Sequence, residues 1–497
     1  QIHSLLSFSS STLHYSFELY TIIHKNYSYF FVTNAQKGAY LYYFKTYYTL
    51  FIEVRNMQEN SITQGSIPKQ MILFTIPIMI GTLFQQLYNT VDVIVIGKFV
   101  SAKALACVGG SSGMIIFLFI GFFTGLTSGI TVVAAKYFGA KDTKNLSYTI
   151  HTSIALSILG GILFTILGNI FTEKLLQLLN TPTNLIQGST TYLRIYFFGL
   201  TFQFLFNSCS AILRTLGDSK TPLYYLILCC FLNIALDIVL VVIFPLGITG
   251  VGIATTFSQL ISSIYALRAL TRFDEAYKLN IKSLKIHPYS FKEIIQIGFP
   301  AALQSLMNSF SGMIMTNAIN SLGTFAIAGN TAYAKLDGIY WMVSNAFSVT
   351  ISTFVAQNIG AKQLSRAKES IKTCLLMDIS ISAALSLLFF FSSNMLLYLF
   401  TNDSRVIAQA LLVMKAIAPY YAIVPFYEIL ASALRGMNIT IVPTIINILG
   451  LCGIRAIYIL CQSFTNIYDI IISCPISWIC TAILTILYYK KKAYIIK

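Results

Sequence analysis

The sequence predicts an all-α polytopic membrane protein, with twelve transmembrane helices in two six-helix lobes related by a parallel internal repeat. Three observations predict it. The 497 residues are 56% hydrophobic and only 10% charged, with a mean hydropathy of +0.73, whereas soluble domains carry about 25% charged residues. From Pro68 onward, apolar runs long enough to cross a hydrocarbon core, which takes ~20 residues, recur twelve times. The last six of these runs repeat landmarks of the first six at a fixed separation.

The spans fall at roughly 68–97, 112–138, 148–171, 190–216, 222–244, 248–271, 293–320, 325–358, 370–399, 408–435, 440–462 and 467–489. Residues 1–56 do not match them. They are rich in Tyr and Ser, never sustain ~18 apolar residues, and lack the layout of a signal peptide. They are expected to be a disordered, non-native or optional leader ahead of Met57. The domain plan is then an N-terminal lobe at 57–271, an inter-lobe linker at 272–292, a C-terminal lobe at 293–489 and a basic tail at 490–497.

The net charge is +16, yet nucleic acid is not an expected partner. The basic residues cluster in short loops after even-numbered spans (Lys141, Lys144, Arg272, Lys278, Lys282, Lys285, Lys362, Arg366) and in Lys490–Lys492. That is the pattern of the positive-inside rule, and it predicts that both termini are cytoplasmic. The nine cysteines lie mostly inside spans with no CxxC, so they read as small packing residues. No HExxH, Walker A or paired nucleophile motif is present, so neither zinc chemistry, ATP nor enzymatic catalysis is expected.

The repeat has a separation of 221 residues. Gly139-Ala140-Lys141 recurs as Gly360-Ala361-Lys362, Ala211–Arg214 recurs as Ser432–Arg435, and Pro222 recurs as Pro443; Pro77 and Pro300 match at 223. So long a period is a duplicated six-span unit rather than a solenoid. An even number of spans gives both copies one orientation, the plan of secondary transporters that rock two lobes about a central cavity.

Polar groups inside spans mark candidate sites, because a carboxylate at the bilayer centre costs at least ~3 kcal/mol. The first span carries Gln85, Tyr88, Asn89 and Asp92; the fourth, Asn207; the fifth, Asn233 and Asp237; the sixth, Thr255. Asn233 and Asp237 are four positions apart and share a helix face. Each group reads either as a helix–helix hydrogen bond or as part of an ion site, and Asp92 also reads as a solvated boundary residue. The repeat weighs on this: Asp237 maps to Tyr458, Asn233 to Ile454, Thr255 to Ile476 and Asp92 to about Met315. Acids confined to one lobe suggest a cation or proton site there. In the second lobe Asn207 maps to Glu428, a candidate substrate or proton carboxylate. Lys335 and Asp337 read as a partly buried pair or an entrance feature, and Lys415 and Arg455 either as residues that snorkel to a boundary or as partners for an acid such as Glu428.

The segments IPIMIGTLFQQLYNTVDVIVIGKF, AILRTLGDSKTP and LNIALDIVLVVIFPLGITGVGIATTFSQ, with the echoed GAK and ALRG segments, strongly resemble the multidrug and toxic compound extrusion (MATE) family, and within it the DinF-like and MepA-like bacterial branch. The likeness runs from Met57 to about Lys492. It implies a monomeric secondary antiporter in the bacterial plasma membrane that exports lipophilic organic cations in exchange for H⁺ or Na⁺, with no other cofactor. It also implies ion coupling at Asp92, Asn207, Asn233, Asp237 and Thr255, with Na⁺ an option at Asp92 and Asp237. Gln85, Tyr88 and Glu428 are left as candidate substrate or second-lobe positions. The alternatives are a lipid-linked saccharide flippase of related architecture and, from a different class, an integral-membrane enzyme.

Overall fold

The computed structural model describes residues 62–273, 277–462 and 464–492, and they are helical almost throughout. The expected leader at 1–56 and the last five residues of the basic tail lie outside the described residues. The first lobe comprises α1 (Ile67–Phe99), the short α2 (Ala102–Gly109), α3 (Ser111–Gly139), α4 (Thr143–Leu178), α5 (Thr183–Thr215), α6 (Lys220–Asp237, continued by π-helical Ile238–Ile243) and α7 (Gly247–Thr271). The second comprises α8 (Pro288–Asn320), α9 (Thr324–Gly360), α10 (Leu364–Phe391), α11 (Ser393–Tyr398), α12 (Ser404–Ile417), α13 (Val424–Gly436), α14 (Ile441–Asn447), α15 (Ile454–Cys461), α16 (Ile467–Ile471) and α17 (Ser473–Lys492).

All twelve expected spans are helical, with local corrections. The tenth is broken into α12 and α13 by a 3₁₀ stretch at Ala418–Ile423, because Pro419 and Pro425 each remove a backbone donor and crowd the preceding turn. A π-helical stretch, Ile448–Gly453, joins α14 to α15. Among the described residues, 11 helices are by length and composition apolar enough to cross a membrane. Of the twelve spans α8 is the one not among them; its Gln296, Gln304, Asn308 and Asn317 dilute the apolar run. Its internal Pro300 deprives the Gln296 carbonyl of its helical donor, and the Thr440 hydroxyl supplies one at 3.0 Å.

The polarity is inside out. Leu73, Phe117, Ile170, Phe231 and Leu460 are more than half exposed, whereas Asn233, two residues from Phe231, is 0% exposed. In water this arrangement would be destabilising; facing lipid tails it costs nothing. Polar residues instead turn inward, where helices bond through hydroxyls, as Ser157 does to Ser208 at 2.6 Å.

The repeat is visible in the backbone. Lys141 and Lys362 both take left-handed φ values, 56° and 59°, and so do Gly217 (94°) and Asn438 (65°). Each closes a helix C-terminus with the same pair of bonds, for example Asp142 N–H to Tyr137 O at 3.0 Å and Gln363 N–H to Asn358 O at 2.8 Å. The two GAK turns also meet. A Cβ on Gly139 would run into the Gln357 carbonyl, and one on Gly360 into the Lys136 carbonyl. The lobes therefore pack reciprocally at the ends that carry the basic loops. There α3 lies against α8 through Gly125 on Ala302 and Gly129 on Gly298, and Thr75 bonds Thr350 at 2.9 Å.

Candidate functional site

Four helices of the first lobe each turn two polar side chains toward one point, always at a spacing of four. They are Tyr88 and Asp92 on α1, Tyr192 and Tyr196 on α5, Asn233 and Asp237 on α6, and Thr255 and Gln259 on α7. A helix puts residues i and i+4 on one face, so four crossing helices build an eight-residue polar core inside an apolar lobe. All eight are buried, none more than 7% exposed.

At its centre the Thr255 hydroxyl lies 3.2 Å from Asp92 Oδ2 and 3.1 Å from the Val251 carbonyl, while Asn233 Nδ2 donates to Thr255 at 3.3 Å. The Asp92 and Asp237 carboxyl groups come within hydrogen-bonding reach of each other. Yet neither Asp237 oxygen receives a hydrogen bond from a protein donor, and Asp92 Oδ1 and Asn233 Oδ1 are likewise buried without one. Four buried oxygens of this unit thus have no donor supplied by the chain. Gln259 faces both Tyr88 and Tyr196, and Tyr192 lies within electrostatic reach of both carboxyl groups. Immediately after Asp237 the helix widens into its π segment, a distortion common at functional sites.

Asp92, Asn233, Asp237 and Thr255 therefore come together as a unit, and the solvated-boundary reading of Asp92 is corrected by its 5% exposure. Asn207 is half-buried on α5 and shares no recorded hydrogen bond with that unit. Of the possible substrate positions, Tyr88 joins the polar core while Gln85 is half-buried one turn earlier. Tyr192, Tyr196 and Gln259 were not singled out from sequence. Gln259 could have been found as the fourth residue beyond Thr255; the tyrosines are hidden in a chain that has 30 of them.

In the second lobe, Lys335 is exposed and does not pair with Asp337. Asp337 accepts from Tyr421 (2.6 Å), Tyr333 (2.8 Å) and Trp341 Nε1 (3.1 Å). Nor does Glu428 pair with Lys415, which is exposed, or with Arg455, which bonds Ser311 at 3.3 Å. Glu428 takes the Ser348 hydroxyl at 3.0 Å. Among the described residues no cluster of three or more His, Cys, Asp or Glu side chains is arranged to hold a metal ion.

Two duplicated lobes that bury a donor-poor acidic core and expose apolar residues on their outer faces are the plan of a membrane transporter. The family description MatE matches residues 77–239 and 300–460, one block in each lobe, and the chain belongs to that family of transporters; it is not an enzyme. It is 28% identical over 412 residues to the probable multidrug resistance protein YoeA of Bacillus subtilis, covering 80% of this chain and 88% of that one. It is 22% identical over 353 residues to the multidrug export protein MepA of Staphylococcus saprophyticus, covering 71% and 78%. The fold is that of a solved multidrug resistance MATE family transporter in an outward-facing conformation, with a TM-score of 0.81 at 19% identity over 88% of this chain and 98% of the other.

Proposed function

We propose that the protein is a cation-coupled antiporter that exports lipophilic organic cations in exchange for H⁺ or Na⁺, with Asp92, Asp237, Asn233 and Thr255 as the coupling site. The observation that carries this reading is the facing Asp92–Asp237 pair, in which neither Asp237 oxygen has a protein donor. Two ionised carboxylates cannot remain buried together without a counter-charge, so the core calls for a cation from outside. A proton satisfies it by binding one oxygen. A sodium ion would use the four donor-free oxygens on Asp92, Asp237 and Asn233.

Loading one cation cancels one of the two negative charges, lowers the cost of burying the pair and favours a repacked first lobe; unloading restores the doubly charged core. One elementary charge moving inward gains ~2.3 kcal/mol per 100 mV, which adds to the ion gradient in driving export. The multidrug names of the relatives support small lipophilic drugs as cargo.

Ethidium efflux from vesicles under separately imposed pH and Na⁺ gradients tests the reading. Asp237→Asn should abolish the response to the driving ion. Retention of both efflux and its ion dependence in that variant would sink the site assignment.

A further inference from the structure

The signature of the first-lobe pair, a buried carboxyl oxygen without a donor, recurs among the described residues at one carboxyl group of the second lobe. Asp378, on α10, is 0% exposed. Its Oδ1 has a single distant partner, the Ser382 hydroxyl at 3.5 Å, and its Oδ2 is buried with none. It lies within electrostatic reach of Glu428 on α13.

The neighbouring carboxylate is treated differently. Arg435 Nη2 donates to Ser432 at 2.8 Å, and Ser432 and Ser348 are joined at 2.6 Å. Ser348 in turn donates to Glu428 Oε1 at 3.0 Å. Because Ser348 gives its proton to Glu428 and Ser432 accepts from Arg435, the middle bond runs from Ser432 to Ser348. Every donor in the relay points toward Glu428, which accepts at Oε1, and Arg435 supplies a counter-charge to it.

Nothing comparable reaches Asp378. Tyr340 on α9, Tyr427 on α13 and Cys374 on its own helix lie near this pair and none brings a positive charge; Arg455, within electrostatic reach of Tyr427, bonds Ser311, and Asp337 is held by its own three donors. Tyr421 commits its hydroxyl to Asp337. Lys69 on α1 and Lys415 on α12 are exposed, and Arg405 on α12 bonds Asp403.

We propose that Asp378, paired with Glu428, is a second proton-binding site, separate from Asp92 and Asp237. With Arg435 positive and Glu428 negative, one proton on Asp378 leaves the group neutral; its loss leaves a net negative charge buried among apolar helices. The step is formation or rupture of one O–H bond at Oδ2, the proton exchanging with water when the cavity between the lobes opens. A proton fits better than an alkali cation, because a metal ion needs a shell of oxygens and the Ser348 and Ser432 hydroxyls are already committed to each other.

The repeat argues that this pair is not a requirement of the fold. The corresponding positions in the first lobe, at 221 residues' separation, are Ser157 and Asn207, and that lobe packs with neutral groups there. The two lobes thus carry acidic pairs on different helices, α1 with α6 and α10 with α13. The proposal extends the coupling reading above and rests on it only for its consequence in transport.

The test counts protons. The purified full chain, in lightly buffered detergent with a pH-indicator dye, is taken from alkaline to mildly acidic pH. Asp378→Asn should take up about one proton fewer than wild type, Asp237→Asn about one fewer independently, and the double variant about two fewer. The infrared C=O band of a protonated carboxylic acid should lose one component in Asp378→Asn. Should Asp378→Asn fail to fold, Asp378→Glu should shift that component rather than remove it. Unchanged uptake and an unchanged band in Asp378→Asn, or an unshifted band in Asp378→Glu, overturn the proposal. Unchanged uptake in Asp237→Asn instead overturns the first-lobe site and leaves this one standing.

Discussion

Lys136 and Glu293 clasp across the boundary between the lobes, with Nζ 2.5 Å from Oε1 and the Tyr137 hydroxyl 2.6 Å from the other carboxylate oxygen. Lys136 ends α3 and Glu293 opens α8, so one bond ties the tightest inter-lobe contact at its rim. The position equivalent to Lys136 is Gln357, which bonds the Thr215 carbonyl at 2.6 Å. The clasp is thus charged on one side of the pseudo-symmetric interface and neutral on the other.

Breaking it should favour separation of the basic-loop ends. The side chains are 32% and 11% exposed, so the pair is worth more than a surface ion pair but is partly screened. Glu293→Ala strands both Lys136 and Tyr137 and should shift the equilibrium between closed and open by about 1–2 kcal/mol, roughly 5–30-fold. Glu293→Gln, which keeps an acceptor for Tyr137, should shift it less. Spin labels at Lys144 and Lys368, both exposed and one on each lobe, report the distance; a distribution identical to wild type in Glu293→Ala would contradict the role.

The glycines beneath the clasp should be less forgiving. The would-be Cβ atoms of Gly139 and Gly360 meet backbone carbonyls, not side chains, so no rotamer change relieves the overlap. Gly139→Ala or Gly360→Ala should widen the same spin-label distance more than Glu293→Gln does. Each lobe should still fold, because the clash lies between lobes. A compact distance in either variant would show that closure does not require the contact.

These contacts mark where sequence ran out. The spans, the repeat and the acids at Asp92 and Asp237 were legible because hydropathy, proline and an intramembrane charge each have one dominant physical meaning. The facing of Lys136 and Glu293 was not, since either reads alone as a snorkelling boundary residue. Helix α2 was missed because eight residues between two spans carry no usable period. Tyr192 and Tyr196 were missed because aromatics are common at every depth of a span. Asp378, an acid inside the ninth span, has the neutral Ser157 as its repeat counterpart and so leaves no echo in the first lobe.

Outside the membrane, Asp142 caps α4: its carboxylate accepts the Asn145 N–H at 3.1 Å and the Asn145 side chain at 2.6 Å. Those bonds hold its carboxyl below the usual carboxylate range. A depressed folded value means the stabilisation is present above the unfolded value near ~4 and is lost as pH falls through the folded one. Asp142→Ala should cost about 1 kcal/mol at neutral pH and progressively less in acid. Asp142→Asn should retain most of the cap without that pH dependence. Thermal unfolding at neutral pH and near ~pH 3 measures both; an equal deficit for Asp142→Ala at the two would refute the capping charge.

The coupling core should separate its ions by how they use oxygen. Thr255 links Asn233 to Asp92 through one hydroxyl, so Thr255→Val removes one net hydrogen bond, worth about 1 kcal/mol. Ion-driven efflux should persist with an altered ion dependence, without coupling being abolished. Asn233→Leu is the sharper variant, because Asn233 Oδ1 is buried and donor-free beside the two carboxyl groups. A proton needs one carboxyl oxygen and no shell, so proton-driven efflux should survive this change with a shifted pH profile. A sodium ion would lose a ligand, and Na⁺-driven efflux should fall well beyond the effect of Thr255→Val. Efflux measured under each gradient separately in the two variants tells which of the two ions the core is built to hold, and equal losses under both gradients would argue that Asn233 only packs the helices.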